Sequence, residues 1–422
     1  MFNNLKFKLS NLFIIDNKFE HPYLLSLLVF LIYFSILSTV IGTFVLNLSL
    51  VLFCIIFAIF YIKNKKKIEI ISNFKILYVS IAFLILNITL SEHLLYSAKT
   101  SLSLIKNIIF LIGCYIVFKI DKKIFDTFIK LVFFIFIFTS LDTILQYLTG
   151  KDIFGYTKSP TNYGRLSGPF GDELIVGSFL SKILFISILY FLLNFKKKYY
   201  DLIFIIFCVL VIFLTKERSA ILMAVFASFI YVFLRIDKIK YKIISLFLAG
   251  LIIIISFNTV PDSFKRLKII YKPGQNFLDT QWGAHFLTSY EIFKKKPILG
   301  SGIRTYRFEC SKDYLKNINS KASEFRCSTH PHNFYFEILS DTGILGIGFF
   351  VFFLLLVLKK IIFSYNQKIS DNNLLISVCL FFLFFWPIKT TGSIFSSWNS
   401  YFYILSLIII FYQINFIKLK LR

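Results

Sequence analysis

Charge is scarce in this chain of 422 residues: Asp, Glu, Lys and Arg make up 16% of it, where soluble domains carry roughly a quarter. Acidic side chains are scarcer still, 22 against 47 Lys and Arg. Hydrophobic residues reach 57%, with a mean hydropathy of +0.75. The shortage of charge excludes an ordinary soluble domain, and because the apolar residues come in repeated long blocks, one large core is excluded as well. No small-x-small cleavage pattern follows the first block, so that block reads as a retained helix and not as a removable leader. No Asp-rich metal motif stands between the blocks. No internal repeat divides the chain into matching halves, which argues against an alternating-access transporter.

What the chain has is apolar runs near the roughly 20 residues that a spanning helix needs. They fall at 23–41, 43–62, 74–90, 102–118, 125–148, 174–195, 200–214, 220–234, 243–257, 334–358, 374–388 and 398–417. The expected fold is an all-α polytopic membrane protein of about twelve transmembrane helices. In a soluble protein a net charge of +25 would suggest nucleic acid; here the cations sit in alternate loops and no nucleic-acid partner is expected. With the first residue inside, Lys63, Lys65 and Lys67, then Lys119, Lys122 and Lys123, then Lys196 to Lys198, then Arg235, Lys238 and Lys240, then Lys359 and Lys360, and finally Lys418, Lys420 and Arg422 all fall on one side. That is the positive-inside pattern. It predicts an inner-membrane protein with both termini cytoplasmic and its working face periplasmic.

Two segments are too long for turns. The organisation they predict is helices one to nine over 1–257, including an outer loop at 149–173, then a large outer loop at 258–333 that folds as a helical cap before the third-last span, and three final helices over 334–422. In the large loop Trp282, Phe286, Tyr290 and Phe293 recur at helical spacing, which predicts an amphipathic helix over 279–294. Pro297, Gly300 and Gly302 end it. Cys54, Cys114, Cys208 and Cys379 lie in apolar blocks as packed hydrophobes. Cys310 and Cys327 both lie in the large loop, where an oxidising compartment favours a disulfide contributing roughly 3 kcal/mol. A zinc site from Cys310, Cys327, His330 and His332 is the rival, with a spacing that fits no common pattern.

The densest group of reactive side chains is 328–343, where the large loop re-enters the membrane. Pro331 suits a first helical turn, and the helix start that follows offers free N–H groups to an anion. His332 is a candidate base near neutral pH. Glu337 and Asp341, four apart, share a helix face at membrane depth, where ionisable groups are functional candidates or else hydrogen-bonding groups between helices. Arg218, in Thr215-Lys-Glu-Arg-Ser219, can hold a phosphate in bidentate fashion or simply be a rim cation paired with Glu217. Arg165, Arg304, Arg307 and His285 add cations or potential cations on the same side. The run Lys294 to Lys296 reads as a surface for anionic lipid or glycan.

These elements resemble the O-antigen ligase and O-antigen polymerase superfamily of bacterial membrane glycosyltransferases. The resemblance rests first on His332-Asn333 followed by Gly343-x-x-Gly346, which is similar to the histidine motif of the ligases, with Ile347 where many members have Thr. Lys296-Pro-Ile-Leu-Gly-Ser-Gly302 is similar to the family's Pro-x-x-Gly-x-Gly turn, Glu217-Arg-Ser219 to its Ser-Arg-Gly element, and Arg165-Leu-Ser-Gly168 is a looser match. The family often carries an arginine in the loop helix ahead of the turn; here His285 is nearest. Glu217 replaces the usual small residue before the arginine.

The resemblance implies transfer of a glycan from an undecaprenyl diphosphate carrier on the periplasmic side, with no metal or other cofactor. It casts His332 and Arg218 as catalytic residues, and Arg165, Arg304, Arg307, His285, Asn333 and Glu337 as substrate-binding ones. The acceptor is lipid A–core for a ligase or another glycan repeat for a polymerase, and transfer to protein is a third form. A lipid-linked glycan flippase and a structural scaffold are the readings from other classes.

Overall fold

A computed structural model describes residues 19–65, 67–70, 75–160, 164–195, 200–236, 238–240, 242–243, 276–316, 318–366, 371–416 and 419–421. The chain is an α-helical polytopic membrane protein. Its main helices are α1 (Pro22–Ile41), α2 (Thr43–Lys63), α3 (Lys75–Thr89), α4 (Leu94–Ile120), α5 (Lys122–Thr149), α6 (Val176–Asn194), α7 (Tyr200–Leu214), α8 (Arg218–Arg235), α9 (Gln281–Lys295), α10 (Phe334–Asn366), α11 (Asp371–Phe385) and α12 (Ser397–Gln413). Seven of them (α1, α2, α4, α5, α6, α8 and α10) are long and apolar enough to cross a membrane, and α3, α7 and α11 contain shorter apolar helices. The expected span at 243–257 lies outside the described residues, apart from its first. Two three-residue strands, β1 (Ile68–Ile70) and β2 (Leu419–Leu421), pair antiparallel with Glu69 opposite Lys420.

The chain divides into two compact units, the first from Met1–Phe125, Asn276–Lys360 and Thr391–Arg422, the second from Asp126–Gln275 and Ile361–Thr390. In the first, α2 and α12 pack against α4. Lipid tails supply no hydrophobic drive between helices, so close approach and hydrogen bonds do the work. Gly113 lets the Phe53 ring in, since a Cβ there would stand 2.6 Å from it. Ser35 and Tyr401 share a hydroxyl hydrogen bond of 2.9 Å, and Asn107 donates to Ser400 at 2.7 Å. The cap segment has its own small core of Ala284, Ile292, Tyr306, Cys310, Leu315, Ile318 and Ala322, and Cys310 and Cys327 are bonded, their Cα atoms 5.2 Å apart.

In the second unit α6 packs against α7, α8 and α11, and the Phe133 ring of α5 stacks on Tyr190 at 4.3 Å. Gln146, near the end of α5, pins the loop that follows. Its carboxamide oxygen accepts from the N–H groups of Ser167 and Gly168, and its nitrogen donates to Tyr156 O and Ser167 Oγ. The four bonds satisfy polar groups that would otherwise be buried alone.

The helix over the aromatic stripe exists, and Thr280 caps it by accepting from Gly283 N. Its packed face differs from the expected one. Gly283, Ala284, His285, Thr288, Ser289 and Ile292 are buried, whereas Tyr290 is exposed and Trp282, Phe286 and Phe293 are half-buried. Small residues allow the closest backbone approach, so they and His285 face inward. Pro331 also falls short of its expected place, since α10 begins three residues later at Phe334.

Candidate functional site

A break in α10 shapes the first unit. Gly343 has φ 64° and ψ −164°, a conformation open only to glycine at low cost, and it leaves helix amides without their usual acceptors. The Pro297–Gly302 turn supplies replacements: Ile344 N donates to Pro297 O at 2.8 Å and Leu345 N to Ile298 O at 3.2 Å, while Ser301 N and Gly302 N donate to Ser340 O and Asp341 O at 3.0 and 2.9 Å. Asn87 on α3 joins the same junction, donating to Leu299 O and accepting from Ile303 N. The two glycine motifs of the sequence are thus halves of one interlocked joint.

The joint fixes the next residues. The Asp341 carboxylate accepts from Arg304 N at 2.7 Å, and Arg304 itself has φ 63°. Arg307 donates to Thr329 O at 3.3 Å and lies over the Tyr96 ring at 5.4 Å. The Nε atoms of both arginines are buried with no hydrogen-bond partner among the described residues. Both guanidinium groups act electrostatically on Glu337. Glu337 is 1% exposed, and its carboxylate accepts from Ser393 Oγ at 2.5 Å and from Ile394 N at 3.0 Å. It anchors the loop before α12. Asn333 caps α10, its side-chain oxygen accepting from Tyr335 N at 2.9 Å.

Three imidazoles gather beside this scaffold. The His332 ring centroid lies 5.2 Å from that of His285 and 4.4 Å from that of His330. His332 has φ 57°, held by Thr391 N donating to its carbonyl at 2.7 Å. His330 Nε2 lies 3.1 Å from Thr391 O, which can only accept, so Nε2 carries the proton and Nδ1 accepts from Thr329 Oγ1 at 2.9 Å. His285 is fully buried, with Nδ1 3.2 Å from Tyr306 Oη and 3.3 Å from Arg326 O. Burial, then the neighbouring His332, pushes His285 and His330 down to about 4. Burial lowers His332 too. All three rings are therefore neutral near pH 7, and the His332 ring makes no hydrogen bond among the described residues. It is a base with a spare lone pair.

In the second unit Arg165 and Arg218 flank Glu217. Arg165 Nη2 donates to Leu174 O at 2.5 Å and lies 3.7 Å from the Glu217 carboxylate, which also accepts from Ser178 N at 2.9 Å. Arg218 is the first residue of α8, following a tight turn in which Lys216 has φ 58°. Gly177 is required there, because a Cβ would stand 2.4 Å from Thr215 Oγ1.

Glu92, His93 and Glu309 bring three ligand atoms within 4.8 Å of one another, but two ammonium groups already serve them. Lys312 lies 2.6 Å from Glu92 and 2.8 Å from Glu309, and Lys296 also pairs with Glu92. These lysines hold the Glu92 carboxyl down to about 2. The group is an ion-pair network tying the cap to the turn before α4. The rival zinc set loses both thiolates to the Cys310–Cys327 bond.

Sequence reasoning did not identify Tyr306, Thr391, Ser393 or Asn87 as parts of the site, and it considered His330 only as a zinc ligand. Asn87 carried a usable signal, a lone carboxamide in an apolar run. Thr391 and Ser393 carried none, because they act largely through position.

The family model described as Wzy_C, O-Antigen ligase, matches residues 202–351, about a third of the chain. No curated protein matches it. The matched stretch contains the Arg218 turn, α9, the Pro297–Gly302 turn and the histidine segment up to the Gly343 joint, and over these residues the chain is similar to the O-antigen ligase family.

Proposed function

We propose that the protein moves a glycan from undecaprenyl diphosphate to an acceptor hydroxyl at the periplasmic face of the inner membrane. In the first reading it is a ligase and the acceptor is lipid A–core. The acceptor O–H gives its proton to His332 as the oxygen attacks the anomeric carbon. The carbon–oxygen bond to the diphosphate breaks and its electron pair leaves with the carrier. General-base help of this kind typically contributes 10²–10⁴-fold. Arg218 and Arg165 meet the charge that grows on the leaving group, while Arg304, Arg307, His285 and Asn333 orient the sugars and Glu337 holds the loop before α12. Fixed guanidinium groups then fill the role that a divalent cation plays in other diphosphate chemistry, and the family implies no metal.

The observation that carries this reading is the neutral His332 ring within a packed group of imidazoles, inside the stretch that matches the family. About twelve spans follow from the lengths of the apolar blocks, and cytoplasmic termini and a periplasmic cap from the alternation of loop cations. The ligase reading leans on the spacing of His332-Asn333 and Gly343; a polymerase joining repeat units is the alternative within the class. Carbohydrate profiling of a deletion strain separates them. Loss of a ligase leaves carrier-linked polymer unattached, whereas loss of a polymerase leaves single repeat units on the core. A flippase predicts neither pattern but carrier-linked glycan stranded in the cytoplasmic leaflet.

A further inference from the structure

The cap segment holds a cavity that the reaction above does not use. It encloses about 430 Å³ between the short turn leading into α9 and the loop at 318–321, within the range of roughly 300–1,000 Å³ usual for small-molecule sites. Hydrogen bonds clamp its two walls together. Ser320 Oγ donates to Leu278 O at 2.6 Å, and Lys321 N donates to the Asp279 carboxylate at 3.0 Å. Asn276 Oδ1 accepts from Leu278 N at 3.1 Å, and Ile318 is built into the cap core. A cavity held this way is formed before any ligand arrives, which lowers the cost of binding.

The lining groups keep hydrogen-bonding capacity to spare. Asn319 is exposed in the wall, and its carboxamide, both donor and acceptor, has no partner among the described residues. Asn276 Nδ2 has none either. The second Asp279 oxygen meets only the Lys321 ammonium, at 3.8 Å, and that lysine side chain is 87% exposed. One carboxylate and one ammonium cancel, so the lining selects no anion. Donors and acceptors side by side match a ligand whose groups are both at once, as hydroxyls are. Leu278, 40% exposed, adds an apolar patch for the C–H face of a sugar ring. The cavity is also near the imidazoles. Asp279 precedes His285 by six residues, roughly 9 Å along a helix, and both belong to one compact unit. A few linked sugars cover that distance.

We propose that this cavity binds an uncharged saccharide, a part of the glycan several sugars away from the bond that reacts. Asn276, Asn319 and Lys321 bond its hydroxyls, and Leu278 carries the ring face. Calling the saccharide part of the transferred glycan rests on the transferase reading; its binding here does not. None of these residues takes part in the bond that breaks, so the site adds affinity for glycans long enough to reach it.

The test uses the purified full chain in phosphatidylcholine nanodiscs. The probe is the glycan released by mild acid from the carrier lipids of the cells that make the protein, labelled at its reducing end with 2-aminobenzamide. Asn319→Ala and Lys321→Ala each weaken binding roughly two- to tenfold, the scale of one lost hydrogen bond. Lys316→Ala, an exposed cap position outside the cavity, binds like the wild type. Affinity holds from low to high salt, as it does for an uncharged ligand. Unchanged affinity in both cavity variants overturns the proposal, and so does an equal loss in Lys316→Ala. A steep salt dependence overturns it too, since it would mark an anionic ligand. Should a variant not fold, hydrogen exchange in the wild type decides: bound glycan slows exchange at 276–280 and 318–322, and unaltered exchange there contradicts the site. Transfer surviving in His332→Ala would overturn the reaction assignment while leaving the glycan-binding result standing.

Discussion

Gly343 and Gly300 are packed backbone to backbone: a Cβ on Gly343 would lie 2.7 Å from Gly300 N, and one on Gly300 would lie 2.3 Å from the Asp341 carbonyl carbon. Neither position has room for a side chain, and both have positive φ. The break in α10 and the turn after α9 therefore hold each other, and His332, Arg304 and Glu337 depend on the joint for their placement.

Gly300→Ala and Gly343→Ala should each destabilise the protein by roughly 2–4 kcal/mol, from steric clash added to an unfavourable backbone. Gly348→Ala is the control, an exposed helical position where nothing lies within 4 Å of an added Cβ. There the change should be neutral or stabilising by up to about 1 kcal/mol. Thermal unfolding in detergent measures all three.

The disulfide gives a second prediction. Cys310→Ser with Cys327→Ser, or reduction of the wild type, should cost roughly 3 kcal/mol. The loss should be greatest around Arg326, whose carbonyl accepts from Tyr306 Oη at 2.6 Å and faces His285. Hydrogen exchange over 276–333 before and after reduction shows whether protection falls there first.

Acid should weaken the protein through its imidazoles. His285 titrates near 4 in the folded chain against about 6.5 when unfolded. The unfolded state binds more protons between those values, so stability is full above about 6.5 and falls as pH drops toward 4. The Tm should decline across that window, and His285→Gln should flatten part of the decline.

His332 gives a prediction about rate. Its folded value lies below the usual one, so the base remains unprotonated at mildly acidic pH. The acid limb of kcat/KM should fall below about pH 6.5, and the residual rate of His332→Ala should lack that limb.

Much of the architecture was legible because a span must be long and apolar, and outside 243–257 each apolar block falls on a helix. The start of α4 was read too late, at 102 and not Leu94. Ser97, Thr100 and Ser101 look like loop in the sequence, yet they are buried, with Ser97 bonded to Ser91 and to Ile303 O. The face of α9 was misread because aromatic residues advertise burial more loudly than Gly283, Ala284 or Ser289, which here make the tighter contact. His332, Glu337 and the arginines could be named as candidates from residue type and position. That the Pro297–Gly302 turn fills the Gly343 break could not, since backbone hydrogen bonds between distant segments leave no compositional trace.

The most direct measurement is glycan transfer by the purified protein in proteoliposomes supplied with polyprenyl-diphosphate-linked glycan and lipid A–core, comparing the wild type with His332→Ala. The account predicts a loss on the order of 10²–10⁴-fold in the variant, with unfolding temperature and donor binding retained. Transfer at the wild-type rate in His332→Ala would contradict it.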